Sequence, residues 1–138
     1  MRGQQELVFD RYIFDADSLI NLERSDNLKR LRPPGDAITV PDRVAREVRE
    51  PGSLLHRWLE RYPHVVSRFA TPSESAAYVA LKVADPSLGD GEASAIAMAR
   101  ERQAVLVMDD VHAGEAARRH GVVPIGTDEF LRRWHVRR

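Results

Sequence analysis

"AVLVMDDVHAGEAARRH", Ala104 to His120, decides how the rest of the chain reads. An unbroken apolar run, Ala104 to Met108, stops at two consecutive acids, Asp109 and Asp110, and a helical pattern follows through His120. Strands covered on both faces read as continuous apolar runs, whereas half-exposed strands alternate. The same succession opens the chain. "YIFDADSLINLE", Tyr12 to Glu23, gives a short apolar strand at Tyr12–Phe14, acids at Asp15 and Asp17, and a helix over Ser18–Arg24 with Asp17 or Ser18 available as its N-cap.

The intervening sequence repeats the alternation. "RPPGD" breaks the chain, "AITV" predicts a second strand, and Pro41 opens a helix over Asp42–Glu50 that Pro51 and Gly52 halt. A helix over Leu54–Tyr62, a third strand in "HVVSRFA" and a helix over Ser73–Val83 follow, the last ended by Asp85-Pro86. "LGDGEASAIAMARERQ" is a further helix, capped by Asp90. Beyond His120, "VVPI" predicts a short strand and Asp128–Trp134 a final helix, while Met1–Asp10 reads as a short strand or a loose terminus. Strands alternating with helices predict an α/β fold, a three-layer α/β/α sandwich around a mainly parallel sheet, with residues 1–138 forming a single domain.

Composition narrows the chemistry. No apolar stretch approaches the eighteen or so residues that cross a bilayer, and the start has no signal-peptide layout, so a cytoplasmic protein with no membrane partner is expected. Cysteine is absent, which excludes disulfides, thiolate zinc sites and thiol nucleophiles. The formal net charge is zero, so bulk charge argues neither for nor against nucleic acid. Arginines cluster at Arg100 and Arg102, Arg118 and Arg119, Arg132 and Arg133, and Arg137 and Arg138. Their planar forks suit phosphate, although solvated helix faces account for them equally well.

In an open parallel sheet, ligands bind outside the carboxyl ends of the strands, which is where Asp15, Asp17, Asp109 and Asp110 fall. A turn or cap accounts for any one of these acids, but two acidic strand ends in one small sheet favour a site. At 100° per residue Glu92 falls among Ala95, Ile96 and Ala99, which predicts that it faces the sheet. A first-turn acid favoured by the macrodipole does not need that face. In the helix after Pro41, Val44 and Val48 point inward and Arg43, Arg46 and Arg49 outward, leaving Glu47 about 80° from the apolar centre. Pairing of Glu47 with a neighbouring arginine is the competing account. Acids converging within about 4–6 Å repel by roughly 1 kcal/mol per pair in water and several-fold more at lower dielectric. With neither cysteine nor closely spaced histidines, the expected counter-charge is Mg²⁺ or Mn²⁺ on oxygen ligands. Such ions activate water and stabilise charge on a phosphodiester, so metal-assisted phosphodiester cleavage is the expected chemistry.

On these residues the sequence resembles the PIN-domain ribonucleases, a family that includes the VapC-type toxins of toxin–antitoxin modules. The similarity runs from Tyr12 to Thr127. "IFDADSLI" resembles the family's first strand with its metal-binding Asp at Asp15, and "VPDRVAREV" the Pro-led helix carrying the second acid, Glu47. "LGDGEASAIAMA" is similar to a Gly-Glu helix start that places the third acid at Glu92. "VLVMDDVHAGEAARRHGVVPIGT" resembles the closing strand, the fourth acid at Asp110 with Asp109 beside it, and the Gly-Thr that follows. Two positions depart from the pattern: Met108 stands where a small hydroxyl residue is frequent, and Asp17 where Asn, Ser or Thr is frequent. The resemblance implies that Asp15, Glu47, Glu92 and Asp110 coordinate one or two Mg²⁺ or Mn²⁺ ions, with Asp17, Asp109 and Thr127 in support. It also implies an RNA substrate in single-stranded or looped form, a homodimer and a small antitoxin partner.

Two other functions compete. "DADS" resembles the Asp-x-Asp pair of haloacid dehalogenase-type phosphatases, but Leu19 stands where that family has a hydroxyl, the only lysines are Lys29 and Lys82, and Glu47 and Glu92 are left unexplained. A non-catalytic PIN-like module binding RNA or protein through its arginines would not need all four acids. His112 reads as a partly exposed helix residue, and His56 and His64 are too isolated to pair on a metal. Trp58 and Trp134, with Phe130 and Leu131, read as buried apolar surface, an exposed Trp58 being the alternative suited to a partner helix.

Overall fold

The apolar runs pair side by side and the segments between them coil, as the alternation predicts. The computed structural model describes residues 10–137, and the expectation for Met1–Asp10 lies, Asp10 aside, outside them. The elements in order are β1 (Tyr12–Phe14), α1 (Ala16–Arg24), a 3-10 turn at Leu28–Arg30, β2 (Ile38–Pro41), α2 (Asp42–Glu47) and α3 (Leu54–Arg61). A 3-10 turn at Pro63–Val65 leads to β3 (Val66–Ser67), α4 (Pro72–Ala84), α5 (Asp90–Arg102), β4 (Val105–Val107), α6 (Val111–Arg119) and α7 (Thr127–Arg137). All four strands are parallel, in the order β3-β2-β1-β4, with Tyr12 opposite Ile38 on one side of β1 and Ile13 opposite Leu106 on the other. The winding reverses between β1 and β4, and the crevice at such a switch point is where a doubly wound sheet binds ligands.

Successive strand residues face opposite sides, and that alternation builds the three layers. Tyr12 and Phe14 join Leu19, Leu22, Leu55, Trp58, Phe130 and Trp134 in one core. Ile13 and Leu106 join Leu81, Ile96, Met98, Ala113 and Ala116 in the other. Phe130 of α7 meets Tyr12 and Phe14 edge-on at 4.9 and 4.7 Å between ring centroids, so the last helix closes over the first strand. Both tryptophans are buried, and the Trp58 indole N–H donates to the Leu31 carbonyl at 3.0 Å.

Several boundaries differ from expectation. The N-cap of α1 is Asp15 rather than Asp17 or Ser18, and that of α5 is Gly89, with Asp90 as first helical residue. Helix α2 stops at Glu47, with Val48 as its C-cap, short of Glu50; Pro51 accounts for Glu50 alone, which a following proline drives out of the helical region. "HVVSRFA" yields only a two-residue strand after the turn that Pro63 starts, and "VVPI" only a single bridge between Val107 and Ile125. Helix α5 has no apolar stripe: Ala93 through Ala99 are all buried, because β1, β2, β4, α2 and α4 surround it. Glu92 is half-buried at the start of that helix. No described helix is long and apolar enough to cross a membrane.

One buried ion pair ties the second layer together. Glu74 of α4, 2 % exposed, receives Arg102 of α5 in a two-point contact, Nε to Oε2 at 2.9 Å and Nη2 to Oε1 at 3.0 Å. Arg102 also donates to Ser67 Oγ and the Arg68 carbonyl, and the Ala70 N–H donates to Glu74. This guanidinium is therefore structural, not part of a surface cluster with Arg100.

Candidate active site

β1 runs directly into α1, so the first residue after the strand serves as strand end and helix cap together. That residue is Asp15, only 1 % exposed. Its Oδ1 accepts from the Ser18 N–H at 3.0 Å. Ser18 Oγ lies 2.5 Å from the same oxygen and 2.9 Å from the Val107 carbonyl, its one proton serving one acceptor at a time. The hydroxyl thus spans the crevice between β1 and β4, where Met108, buried in the second core, supplies none. Burial pushes the Asp15 carboxyl up to about pKa 6; the Ser18 bonds oppose the rise, while the negative charges of Asp17 and Glu92 add to it.

The N-terminus of α5 holds two further acids. The Gly91 N–H donates to Glu47 Oε1 at 3.0 Å, and the Gly89 N–H to Glu92 Oε1 at 2.9 Å. The second contact is the returning half of a capping box, Gly89 having no side chain for the other half. The Glu47 contact uses the space a Cβ would take: one at Gly91 would sit 2.5 Å from Glu47 Oε1, and the flexible carboxylate would have to move off the Gly91 N–H. Burial of its carboxyl end raises the Glu47 pKa, the Gly91 bond opposes this, and the charges of Glu92, Asp90 and Asp17 reinforce it. Among the described residues no arginine pairs with Glu47; Arg46 reaches Asp42 instead, at 3.8 Å.

The two acids after β4 divide. Asp110 caps α6, its Oδ1 accepting from the Ala113 N–H at 2.8 Å. Asp109 turns the other way and is saturated: Oδ1 accepts from the Thr127 N–H at 2.8 Å, and Oδ2 from Asn21 Nδ2 at 2.6 Å and from the Thr127 hydroxyl in a short bond. Burial raises the Asp109 pKa, but the Thr127 and Asn21 bonds outweigh it and hold the group below the usual carboxylate range. Asp109 is thus a tie joining β4 to α1 and α7.

Asp17, Asp109 and Asp110 line one open depression with Ile20, Asn21 and Arg24. Asp17 also acts electrostatically on Asp15 and Glu47, so it links the acids of the depression to those at the start of α5. Among the described residues no three Asp, Glu or His side chains close on one point as metal ligands do. Asp15, Glu47, Glu92, Asp109 and Asp110 are each turned onto a backbone N–H at the start of α1, α5, α6 or α7. Helix N-termini carry about half a positive charge, which offsets the repulsion between the acids. Asp15, Glu47, Glu92 and Asp110 anchor only one oxygen in this way; among the described residues the second makes no hydrogen bond or ion pair. Each thus offers a carboxylate oxygen, the donor type a hard divalent cation takes, and the charges of neighbouring acids bear on Asp15 and Glu47. The described histidines with polar contacts find them elsewhere, His120 on Asp85, His56 on Glu60, His64 on the Pro33 carbonyl and exposed His112 on Ser87.

Residues 11–134 match the model of a family described as a PIN domain. The chain belongs to the PIN-domain family. PIN domains are generally nucleases, and generally use divalent metals. The crystal structure of PAE2754 from Pyrobaculum aerophilum is similar in fold, with a TM-score of 0.61 at 17 % identity over 94 % of this chain and 99 % of that one. No curated relative matches the sequence. Family membership sets aside the phosphatase reading of "DADS".

In this PIN domain, the six acids singled out in the sequence sit around the carboxyl ends of β1 and β4 and the start of α5. Sequence reasoning missed Ser18 as a bridge, Gly91 as the clearance for Glu47, and Asn21 as a donor to Asp109. A signal existed for Asn21: it lies one turn after Asp17 on the same helix face.

Proposed function

We propose that this PIN domain is a divalent-metal-dependent endoribonuclease. The observation that carries the reading is the anchored-and-free pattern: among the described residues Asp15, Glu47, Glu92 and Asp110 each keep one oxygen unbonded, whereas Asp109 uses both. Asp15 is the sharpest case, a buried carboxylate to which, among the described residues, no cationic side chain is bonded. Buried charges are ordinarily paired. Mg²⁺ or Mn²⁺ held by these four acids, with Asp17 in support, would supply Lewis-acid charge for the scissile phosphate and lower the pKa of a water. The chain's own contribution is orientation. Helix N–H groups fix one oxygen of each acid, Ser18 links the ends of β1 and β4, and Asp109 holds α7 against the site. A VapC-like role, with a homodimer and a small antitoxin, is the extension of this proposal that the family resemblance suggests. Co-purification with the product of a neighbouring reading frame tests it.

The deciding experiment compares cleavage of single-stranded and structured RNAs in Mn²⁺, in Mg²⁺ and in chelator, for wild type and Asp110→Asn. Asparagine caps a helix as well as aspartate does, so the variant keeps its fold. Loss of a charged group at the reacting centre should lower the rate by about 10²-fold or more. Cleavage that survives in chelator, or in the variant, refutes the proposal; intact RNA bound equally well with and without metal favours a non-catalytic module. Asp109→Ala, by contrast, should lower the melting temperature by releasing Asn21 and Thr127.

A further inference from the structure

Helix α2 carries a guanidinium that the hydrolytic reading leaves unused. Arg43 Cζ lies 4.6 Å from the Tyr78 ring centroid and 5.0 Å from that of Phe69. The two rings stand 5.4 Å apart, tilted by 48°, so the cation is seated against a pair of aromatic faces. The side chain is half-buried and, among the described residues, makes no hydrogen bond or ion pair. Its five N–H donors therefore make no hydrogen bond while its orientation is held, and its charge reaches the nearby Asp90 only through space. Arg46, Arg102, Arg119 and Arg133 all meet carboxylates. The neighbouring cation Lys82 is also occupied, with Asp90 Oδ1 at 3.1 Å and the Leu88 carbonyl at 2.7 Å.

The seat borders the acids. Arg43 lies one turn before Glu47 on α2. The Tyr78 hydroxyl donates to Asp90 Oδ1 at 3.1 Å, and Asp90 opens α5 two residues before Glu92. A group of carboxylates repels a polyanionic strand, so a strand held there needs a cation beside it. A stacked fork with free donors suits phosphate: the rings restrict its motion, and two parallel N–H groups match two phosphate oxygens.

We infer that Arg43, seated on Phe69 and Tyr78, binds a backbone phosphate of a single-stranded nucleic acid that runs past Glu47 and Glu92. The choice of a nucleic-acid strand over an acidic protein segment rests on the nuclease reading, because the seat lies one helical turn from Glu47 and beside the start of α5 that carries Glu92. The phosphate contact is independent of sequence and positions the strand rather than selecting a base.

The test is binding of a fluorescein-labelled single-stranded oligoribonucleotide, followed by anisotropy from about 50 to 200 mM salt. It is run in chelator, and again in the Asp110→Asn protein with Mg²⁺, where cleavage does not interfere. Arg43→Gln should weaken binding about tenfold, as expected for a charged hydrogen bond. It should also reduce the slope of log affinity against log salt by about 0.7, one phosphate on a single strand. Arg43→Lys should keep the slope and lose part of the affinity, and melting temperatures establish that both variants fold. Unchanged affinity and slope in Arg43→Gln, or no binding by the unsubstituted residue in either arm, overturns the inference. So does an Arg43 dependence seen for an acidic peptide but not for RNA. Absence of metal-dependent cleavage with the Arg43 effect intact would refute the nuclease reading alone and support the strand-binding seat.

Discussion

Replacing Asp15 by Asn should make the metal-free protein more stable at neutral pH while abolishing cleavage. Asn preserves the shape and the Oδ1 acceptor for the Ser18 N–H, and removes only the charge. The Asp15 pKa rises from 3.8 to about 6 on folding, and each unit corresponds to about 1.4 kcal/mol. The folded state therefore binds this proton more tightly than the unfolded chain. Stability attached to it is fully present below pH 3.8 and is lost as pH rises through about 6. The loss amounts to about 3 kcal/mol as an upper bound. The variant escapes that loss, which for a domain of this size is a rise in melting temperature of up to about 10 °C. Thermal unfolding in chelator at pH 4 and pH 7.5 checks this: the two proteins should differ little at the lower pH, and the variant should lead at the higher. Saturating Mn²⁺ should then stabilise wild type by about 2.7 kcal/mol at a hundredfold excess over Kd, and the variant less. A variant that is less stable at pH 7.5, or a gap independent of pH, would refute the argument that Asp15 is a buried charge awaiting a cation.

Gly91→Ala separates geometry from stability. Alanine in a helix is favoured over glycine by about 0.5–1 kcal/mol, so melting should be unchanged or higher. The added Cβ displaces Glu47 from the Gly91 N–H, and cleavage should fall at least about tenfold; full activity would show that this bond does not position Glu47. Arg102→Ala strands the buried Glu74 carboxylate and should destabilise by about 3–5 kcal/mol in urea unfolding. Its pH signature has the opposite sign to that of Asp15. Burial raises the Glu74 pKa, but Arg102 and the Ala70 N–H hold it below the ordinary value of 4.5. The pair's contribution is therefore present above pH 4.5 and lost as pH falls further, and that acid-side loss should be absent from the variant.

The acids at the strand ends were legible because two local rules fix them: continuous apolar runs mark buried parallel strands, and ligands gather at the carboxyl ends of such strands. Glu92 was reached by a less secure route. An angular argument needs a polar side to define the inward one, and α5 is buried almost all round by small residues. Asp109 and Asp110 are adjacent, and nothing nearby in the sequence separates them. What separates them is Thr127, 18 residues on, and Asn21, 88 residues back. The clearance at Gly91 and the Glu74–Arg102 pair are likewise contacts between distant segments, set by how helices pack rather than by any local pattern.

The closure of α7 over β1 bears on how the protein is made. Tyr12 and Phe14 are covered by Phe130, and the crevice beside Asp15 has no second wall until β4 arrives. A chain growing from its N-terminus carries Asp15, Glu47 and Glu92 long before it carries Asp110 or the helix that seals the first strand. The candidate site therefore gains its second wall and its cover only when the last quarter of the chain has been made.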